Sequence, residues 1–408
     1  MKTIKKIGLT GNIGSGKSTI ACMLEEYGFN VIDSDKHAHQ YFEKSHPVYP
    51  KVLSNFGSNV LLANGNIDRE KLSSIVFSDR EKLKQLESIV YAELNRDLEK
   101  IPADKVLVLE SAVLFEKNLA GDYDFNIAVY APYETCKERA IKRGMDEADF
   151  ERRWKVQIPP EEKLKRADYV INNSGSLEEA SKQVRSFVKQ YFPNQIKPYL
   201  YEKWKSFWEK SKFNGNMDEI FEKICNMYSK PERAYHNLFH IADCLDELEN
   251  AREKVFFPRE LELAVWLHDI VYETRAKDNE EKSADFAQEL MMELIPEKNF
   301  DLLFFSALVR RCIFATKHNY YEEIPEARFC ADIDLSIFSQ SHEYFDRYCR
   351  EIRQEYSQAK EEAYRAKRRE ILQSFLKRDS IYYTTFFRQK YKARAEENLQ
   401  REIERLTS

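Results

Sequence analysis

The sequence predicts two folds in tandem: a three-layer α/β domain on a parallel sheet, followed by an all-helical domain. Three observations carry that expectation. The first half alternates short apolar β-like runs with helical patterns, the order that builds parallel sheets flanked by helices. From about residue 200 onward the pattern is almost wholly helical. Between the two regimes, "YFPNQIKPYLYEKWKSFW" carries Pro193 and Pro198. The boundary is expected there, giving domains at 1–195 and 200–408.

The bulk numbers fit this division. A chain of 408 residues has room for two or three domains. At 43% hydrophobic and 33% charged residues it suits folded domains rather than disorder. Lys and Arg number 64 against 69 Asp and Glu, a net charge of -5, which gives no general reason to expect nucleic acid or an anionic membrane as partner. No apolar run approaches a membrane span, and "MKTIKKIGLTGNIGSGKS" at the start lacks the apolar core of a signal peptide. The seven Cys are scattered and form no C-x-x-C pair, so a reduced, cytoplasmic protein is expected. The charged stretch "REIRQEYSQAKEEAYRAKRREILQSFL" has apolar residues at helical spacing and reads as one or two amphipathic helices with solvated outer faces.

In the first half, "KKIGLT" (5–10) reads as a short buried strand, and "GNIGSGKS" (11–18) follows it. The latter satisfies G-x-x-x-x-G-K-[ST], the P-loop pattern, and "TIACMLEEYGF" supplies the helix that the pattern requires. Such a loop aims backbone N–H groups at phosphate oxygens. The expected contacts to ATP run through Gly11, Asn12, Ile13, Gly14, Ser15, Gly16, Lys17, Ser18 and Thr19. Lys17 is expected to reach the β- and γ-phosphates, and the Ser18 hydroxyl to hold Mg(II). The strand in "NVIDSDKHAHQ" (30–40) ends in Asp33 and Asp35, at the strand edge where a doubly wound sheet places its ligand groups. A carboxylate there either takes the proton of an acceptor hydroxyl or caps the next helix, and spacing alone leaves both open. "KVLVLE" (105–110) ends in Glu110, an acid placed to support the Mg(II) shell. The guanine-reading N-K-x-D pattern is absent. Arg139, Arg143 and Arg153 in "CKERAIKRGMDEADFERRWKVQ" are either surface cations or parts of a lid that closes over the phosphates.

Taken together, "IGLTGNIGSGKS", "VIDSD", "GNIDREKLSSIVFSD", "ESAVLFE" and "RWKVQIPPEEKLKRADYVINNSG" resemble, in order and spacing, the dephospho-CoA kinase family over about residues 1–190. The resemblance implies transfer of the ATP γ-phosphate to the ribose 3′-hydroxyl of dephospho-CoA. It implies Asp35 as catalytic base with Asp33 beside it, and Arg143 and Arg153 at lid positions; with Lys17 these are the expected catalytic residues, and Asp33, Asp35, Glu110 and Arg139 are expected to meet the substrates. One departure stands out: where the family usually has a His-Pro step, this chain has Tyr91 and Ala92. A kinase for another nucleoside or nucleotide acceptor is the alternative.

The second half concentrates histidine: His236, His240, His268, His318 and His342 all lie after residue 230. "RAYHNLFHIADCLDEL" spaces His236 and His240 four apart, one helical turn. "ELELAVWLHDIVYE" sets His268 beside Asp269 within an apolar run, and "ARFCADIDLSIF" offers Asp332 and Asp334. Imidazoles with carboxylates form a divalent-metal ligand set. Singly, each has an ordinary reading: a core His donating to a carbonyl, or Asp332 as a helix cap. Their joint order favours a metal site.

"RAYHNLFHI", "WLHDIVYETRAKDNEEKSA", "ATKH", "DIDLSIF" and "FLKRDSIYYTTFFRQKYKARAEENLQREI" resemble the HD superfamily of metal-dependent phosphohydrolases over about 200–408. The resemblance implies His240, His268, Asp269 and Asp332 as ligands of a divalent transition metal, Mn(II) or Mg(II), with Asp332 preferred to Asp334. It places His236 and His318 behind the ligands or against phosphate, and Arg275, Asp278 and Asn279 near a substrate. The chemistry implied is metal-activated water attacking a phosphoester; a metal-binding module without turnover is the alternative.

Overall fold

The computed structural model describes residues 4–102, 105–211, 213–295, 300–318 and 322–408; the end of "ATKHNYY" (319–321) lies outside them. The chain divides into two compact units, Met1–Pro198 and Tyr199–Ser408.

The first unit is built on five parallel strands: β1 (Lys6–Gly11), β2 (Asn30–Asp33), β3 (Leu107–Glu110), β4 (Phe125–Tyr130) and β5 (Tyr169–Asn172), in the order β2-β3-β1-β4-β5. β1 is buried along nearly its whole length and β3 throughout, which is why they read as continuous apolar runs. After β1 come α1 (Lys17–Glu26), β2, α2 (Ser34–Gln40), α3 (Val48–Phe56), α4 (Arg69–Phe77) and α5 (Arg80–Glu99). Beyond β4 lie α6 (Tyr133–Lys142), α7 (Glu147–Val156) and α8 (Pro160–Arg166), and after β5 comes α9 (Leu177–Tyr191). The chain therefore leaves β1 toward β2 and leaves β3 toward β4. That reversal opens a crevice at the carboxyl ends of β1 and β3, where open α/β sheets bind ligands. The register sets Asp33 level with Glu110, and Glu110 level with Leu9. Val48, Val52, Phe56, Leu72 and Leu94 from α3, α4 and α5 close a core against Leu107 and Leu109 of β3.

Asp residues start several of these helices. The side chains of Asp33, Asp68, Asp79 and Asp146 accept from backbone N–H groups at the starts of α2, α4, α5 and α7, and Ser176 with Glu179 forms a capping box on α9.

The second unit is all-helical, with no strand among its described residues. Its helices are α10 (Ile196–Ser211), α11 (Met217–Tyr228), α12 (Leu238–Ala251), α13 (Pro258–Leu267), α14 (Asn279–Leu294), α15 (Phe300–Ala315), α16 (Pro325–Asp334), α17 (His342–Glu355), α18 (Glu361–Leu376) and α19 (Thr385–Thr407). The charged stretch at 350–376 falls into the end of α17 and all of α18. α13 is the central helix: Leu261, Leu263, Ala264, Val265, Trp266 and Leu267 are all buried, and it packs on α12, α14, α15 and α16. Trp266 stands edge-on to Trp204 at 5.2 Å. Among the described residues no helix is long and apolar enough to cross a membrane.

Candidate functional site

In the first unit, β1 delivers the chain into the Gly-rich loop. Gly14 (φ 79°) and Gly16 (φ 90°) take left-handed backbone conformations, and a Cβ at either position would run into the Cys136 carbonyl or the Asn173 side chain. The loop is braced from elsewhere in the unit: the Ile13 N–H donates to Gln157 Oε1 (2.9 Å), Asn173 Nδ2 donates to the Ser15 carbonyl (2.8 Å), and Asn12 Nδ2 donates to the Ile158 carbonyl (3.1 Å). Lys17 starts α1 with its ammonium 3.4 Å from the Asn12 carbonyl. Burial pushes its pKa down, and the charge of Glu110 works against that shift. The Ser18 hydroxyl donates to Glu110 Oε1 at 2.8 Å.

Asp33 and Asp35 divide the roles that the sequence left open. Asp33 is the helix cap, accepting from the Asp35 and Lys36 N–H groups at 3.0 Å each. Asp35 sits in the first turn of α2. Burial raises its pKa and the neighbouring Asp33 carboxylate adds to the rise, while Lys17 opposes both. Lys17, Ser18, Asp33, Asp35 and Glu110 thus gather at the carboxyl ends of β1, β2 and β3.

The three arginines occupy different places. Arg139 donates to the Asn173 carbonyl at 2.9 Å, behind the loop. Arg143, just past α6, lines a depression with Ile13, Gly14 and Asp146. Arg153 on α7 is largely exposed and paired with Asp149 at 3.0 Å. Sequence reasoning missed Lys163. Its side chain is fully buried, paired with Glu116 at 2.8 Å and donating to the Ala112 carbonyl at 2.6 Å. Glu116 also accepts from the Ile158 N–H at 3.0 Å, so this pair joins β3's exit to the segment after α7. Both residues lie inside motifs quoted above, but neither reads as more than surface charge in sequence.

In the second unit, four elements converge on one buried cluster. His240 comes from the first turn of α12, His268 and Asp269 follow the end of α13, and Asp334 ends α16. His318 lies in the turn after α15, with a positive φ of 54° that few non-glycine residues adopt. The Nε2 atoms of His240 and His268 face each other at 3.0 Å. His268 Nδ1 is 2.9 Å from the Val265 carbonyl and donates to it, which turns Nε2 into the cluster. Asp269 Oδ2 lies 3.3 Å from His268 Nε2 and 3.6 Å from His240 Nε2; Asp334 Oδ1 lies 3.2 Å from His240 Nε2. Asp334 Oδ2 meets His318 Nε2 at 2.8 Å. Burial works against charge on His268, but the Asp269 and Asp334 carboxylates outweigh it and hold its pKa well above the ordinary value. The donor set therefore draws positive charge into an apolar interior, the electrostatic condition that a divalent cation meets.

The expectation for the fourth ligand is corrected. Asp332 does not face the histidines: Oδ1 accepts from the Tyr383 N–H, and Oδ2 from the Thr384 N–H and hydroxyl, all at 2.7 Å. Thr384 is the cap residue of α19, so Asp332 anchors the start of that helix. Residues two apart on a helix point about 200° from each other, and α16 therefore turns Asp334 toward the cluster as it turns Asp332 away. Asp332 is fully buried, and that burial lifts its pKa to about 6 against the three hydrogen bonds.

His236 flanks the cluster. Its Nδ1 meets Glu355 Oε2 at 2.7 Å, and Glu355 Oε1 accepts from the Tyr235 and His236 N–H groups at 2.8 and 2.9 Å. The His236 ring stacks on Tyr272 at 3.9 Å. Asn279 instead clamps its own loop through Glu273, Asp278 pairs with Lys282, and Arg275 is exposed; none of the three lines the cleft beside the cluster. His342 pairs with Glu397 elsewhere. That cleft, about 1330 Å³, has His236, Asp269, His318 and Asp334 on its wall.

Comparison with known proteins bears on the first unit. The family model described as dephospho-CoA kinase matches residues 5–179. A dephospho-CoA kinase of Aquifex aeolicus is 55% identical over 191 residues, covering 46% of this chain and 97% of that protein. One from Carboxydothermus hydrogenoformans is 39% identical over 198 residues, 47% of this chain and 96% of the relative. Among solved structures, a dephospho-CoA kinase from Campylobacter jejuni aligns at 29% identity over 46% of this chain and 96% of its own, with a TM-score of 0.33.

Proposed function

Because the chain belongs, through its first half, to the dephospho-CoA kinase family, we propose that this half moves the γ-phosphoryl group of ATP to the ribose 3′-hydroxyl of dephospho-CoA through the residues gathered at the strand ends. The loop N–H groups and Lys17 hold the phosphates. Ser18 and Glu110, joined at 2.8 Å, are placed to hold Mg(II), which offsets phosphate charge when bound. Asp35 accepts the hydroxyl proton as the oxygen–phosphorus bond forms and the bond to the ADP oxygen breaks. Asp33 holds the Asp35 backbone in place and keeps its carboxylate basic through like charge. Arg143, beside Ile13 and Gly14, and Arg153 are the cations for the transferring phosphoryl group; Arg153 must first exchange Asp149 for phosphate. The test is CoA formation by Lys17→Ala, which should be lost while the fold survives.

For the second half we infer a metal-dependent phosphoester hydrolase with the HD arrangement. The single observation that carries this reading is the pair of Nε2 atoms 3.0 Å apart, one with its other nitrogen committed to a carbonyl, between two carboxylates. His240, His268, Asp269 and Asp334 would hold the ion. A divalent ion there supplies Lewis acidity, lowering the pKa of water and offsetting phosphate charge. The residues around it do the rest. His236, fixed through Nδ1 by Glu355, keeps its other nitrogen for the cleft and can give a proton to the leaving oxygen as the phosphorus–oxygen bond breaks. His318, held by Asp334, narrows the same wall. The test is phosphate release from a panel of phosphoesters by the full-length protein with Mn(II) and no ATP. Turnover lost in His268→Ala supports the hydrolase; tight metal binding without turnover makes the unit a binding module.

A further inference from the structure

The cleft beside the cluster is larger than a simple phosphomonoester needs: about 1330 Å³, against roughly 300–1,000 Å³ for common ligand sites. α18 forms one wall, turning Tyr364, Lys367, Arg368, Ile371 and Phe375 inward at helical spacing. Several cations along the cleft are already committed. Lys317 pairs with Glu281 and Lys367 with Glu370, while Arg378 donates to the His318 carbonyl and Arg388 to that of Tyr382. Arg368 is held differently. Its guanidinium donates to the Tyr348 hydroxyl at 2.6 Å and lies 5.1 Å from the centre of that ring. Its Nε is buried with no hydrogen-bond partner, and its nearest acidic influence is Glu402, whose pKa burial raises and Arg368 pulls down without forming a direct ion pair. A half-buried guanidinium that rests on a phenol, lines the cleft and has no carboxylate paired to it is a site for an anionic oxygen brought by a ligand. Arg378 lies by His318, at the cluster end. Arg368 is set two rings back from the ion site: the Tyr348 ring beneath it is 4.6 Å from Tyr235, which is 4.8 Å from His240. Tyr356, Tyr364 and Tyr383 line the same cleft and give it aromatic surface for a base.

We propose that Arg368 grips a second phosphate of the substrate, so that the cleft takes a nucleotide phosphorylated at two positions: one phosphate at the ion site, the other on Arg368, the base against the tyrosines. This rests on the hydrolase reading for which phosphate is cleaved, but the recognition step does not.

The test compares adenosine 3′,5′-bisphosphate with AMP as substrates of the full-length protein, with Mn(II) and without ATP. The expected kcat/KM ratio is about tenfold or more in favour of the bisphosphate, the worth of one charge-assisted contact. Arg368→Gln should bring that ratio near one, and Arg368→Lys, which keeps the charge but not the fork, should retain part of it. A wild-type ratio near one overturns the proposal, as does a ratio that survives in a folded Arg368→Gln protein. If neither compound is hydrolysed, calorimetry decides the recognition step. The first unit contributes equally to both proteins. One more bisphosphate site per chain in wild type than in Arg368→Gln upholds Arg368 as the anchor, and equal titrations overturn it.

Discussion

The two candidate sites are assembled in opposite ways. In the first unit the phosphate-binding loop is one unbroken run, Gly11 to Ser18, and the remaining groups sit at strand ends that the sheet register aligns. In the second unit His240, His268, Asp269 and Asp334 come from three helix termini far apart in the chain, and no backbone ladder ties them together. A local site can be read from spacing. A dispersed site depends on which way each helix faces, and a slip of two residues reverses that.

The sharpest way to break this contrast is to damage each site separately. Lys17→Ala is expected to cost the kinase roughly 10²-fold or more in kcat, as losing a preorganised charge partner does. Each unit has its own core, so the phosphate release proposed for the second half should be untouched. His268→Ala should do the reverse: CoA formation persists while bound metal, measured by elemental analysis, drops out. Loss of both activities in either variant would end the picture of two self-contained sites.

A finer cut separates the two aspartates of α16. Asp334→Asn, which removes a proposed ligand, should lose the metal on dialysis with little change in melting temperature. Asp332→Asn should keep the metal but lose about 1–3 kcal/mol of stability, because its amide cannot accept all three hydrogen bonds that anchor α19. Thermal melts of both variants alongside metal analysis check this directly.

A smaller effect concerns pH. Asp35 must be ionised to act as a base, and burial, with Asp33 adding to it, raises its pKa. Kinase kcat/KM should therefore fall on acidification at a higher pH than an ordinary Asp would give. Asp33→Asn keeps a helix cap but removes the like charge, so the acid limb should move to lower pH. An unmoved limb assigns the titration to another group.

Much of the first unit was legible because its signals are local. An apolar strand, a glycine-rich loop and a helix in sequence specify Gly11 to Ser18 with no knowledge of the rest, and the acid that ends each of β2 and β3 marks the strand edge. What the sequence did not disclose is the bracing. Lys163 is buried on Glu116, and Gln157 and Asn173 hold the loop, yet each reads in sequence as an ordinary polar residue. In the second unit the residue types pointed to a metal, but the choice between Asp332 and Asp334 did not follow from them. It depends on the start of α19, some 50 residues later, which claims Asp332 through Tyr383 and Thr384. The Glu355 support of His236 was equally invisible, because it joins positions 119 residues apart.

The most direct test of the dispersed site is metal stoichiometry. Full-length wild-type protein, Asp334→Asn and Asp332→Asn would be loaded with Mn(II), dialysed, and assayed for bound ion. The account predicts close to one ion retained by the second half in wild type and in Asp332→Asn, and none in a folded Asp334→Asn protein. Equal retention in Asp334→Asn and wild type, or loss confined to a folded Asp332→Asn, would contradict it.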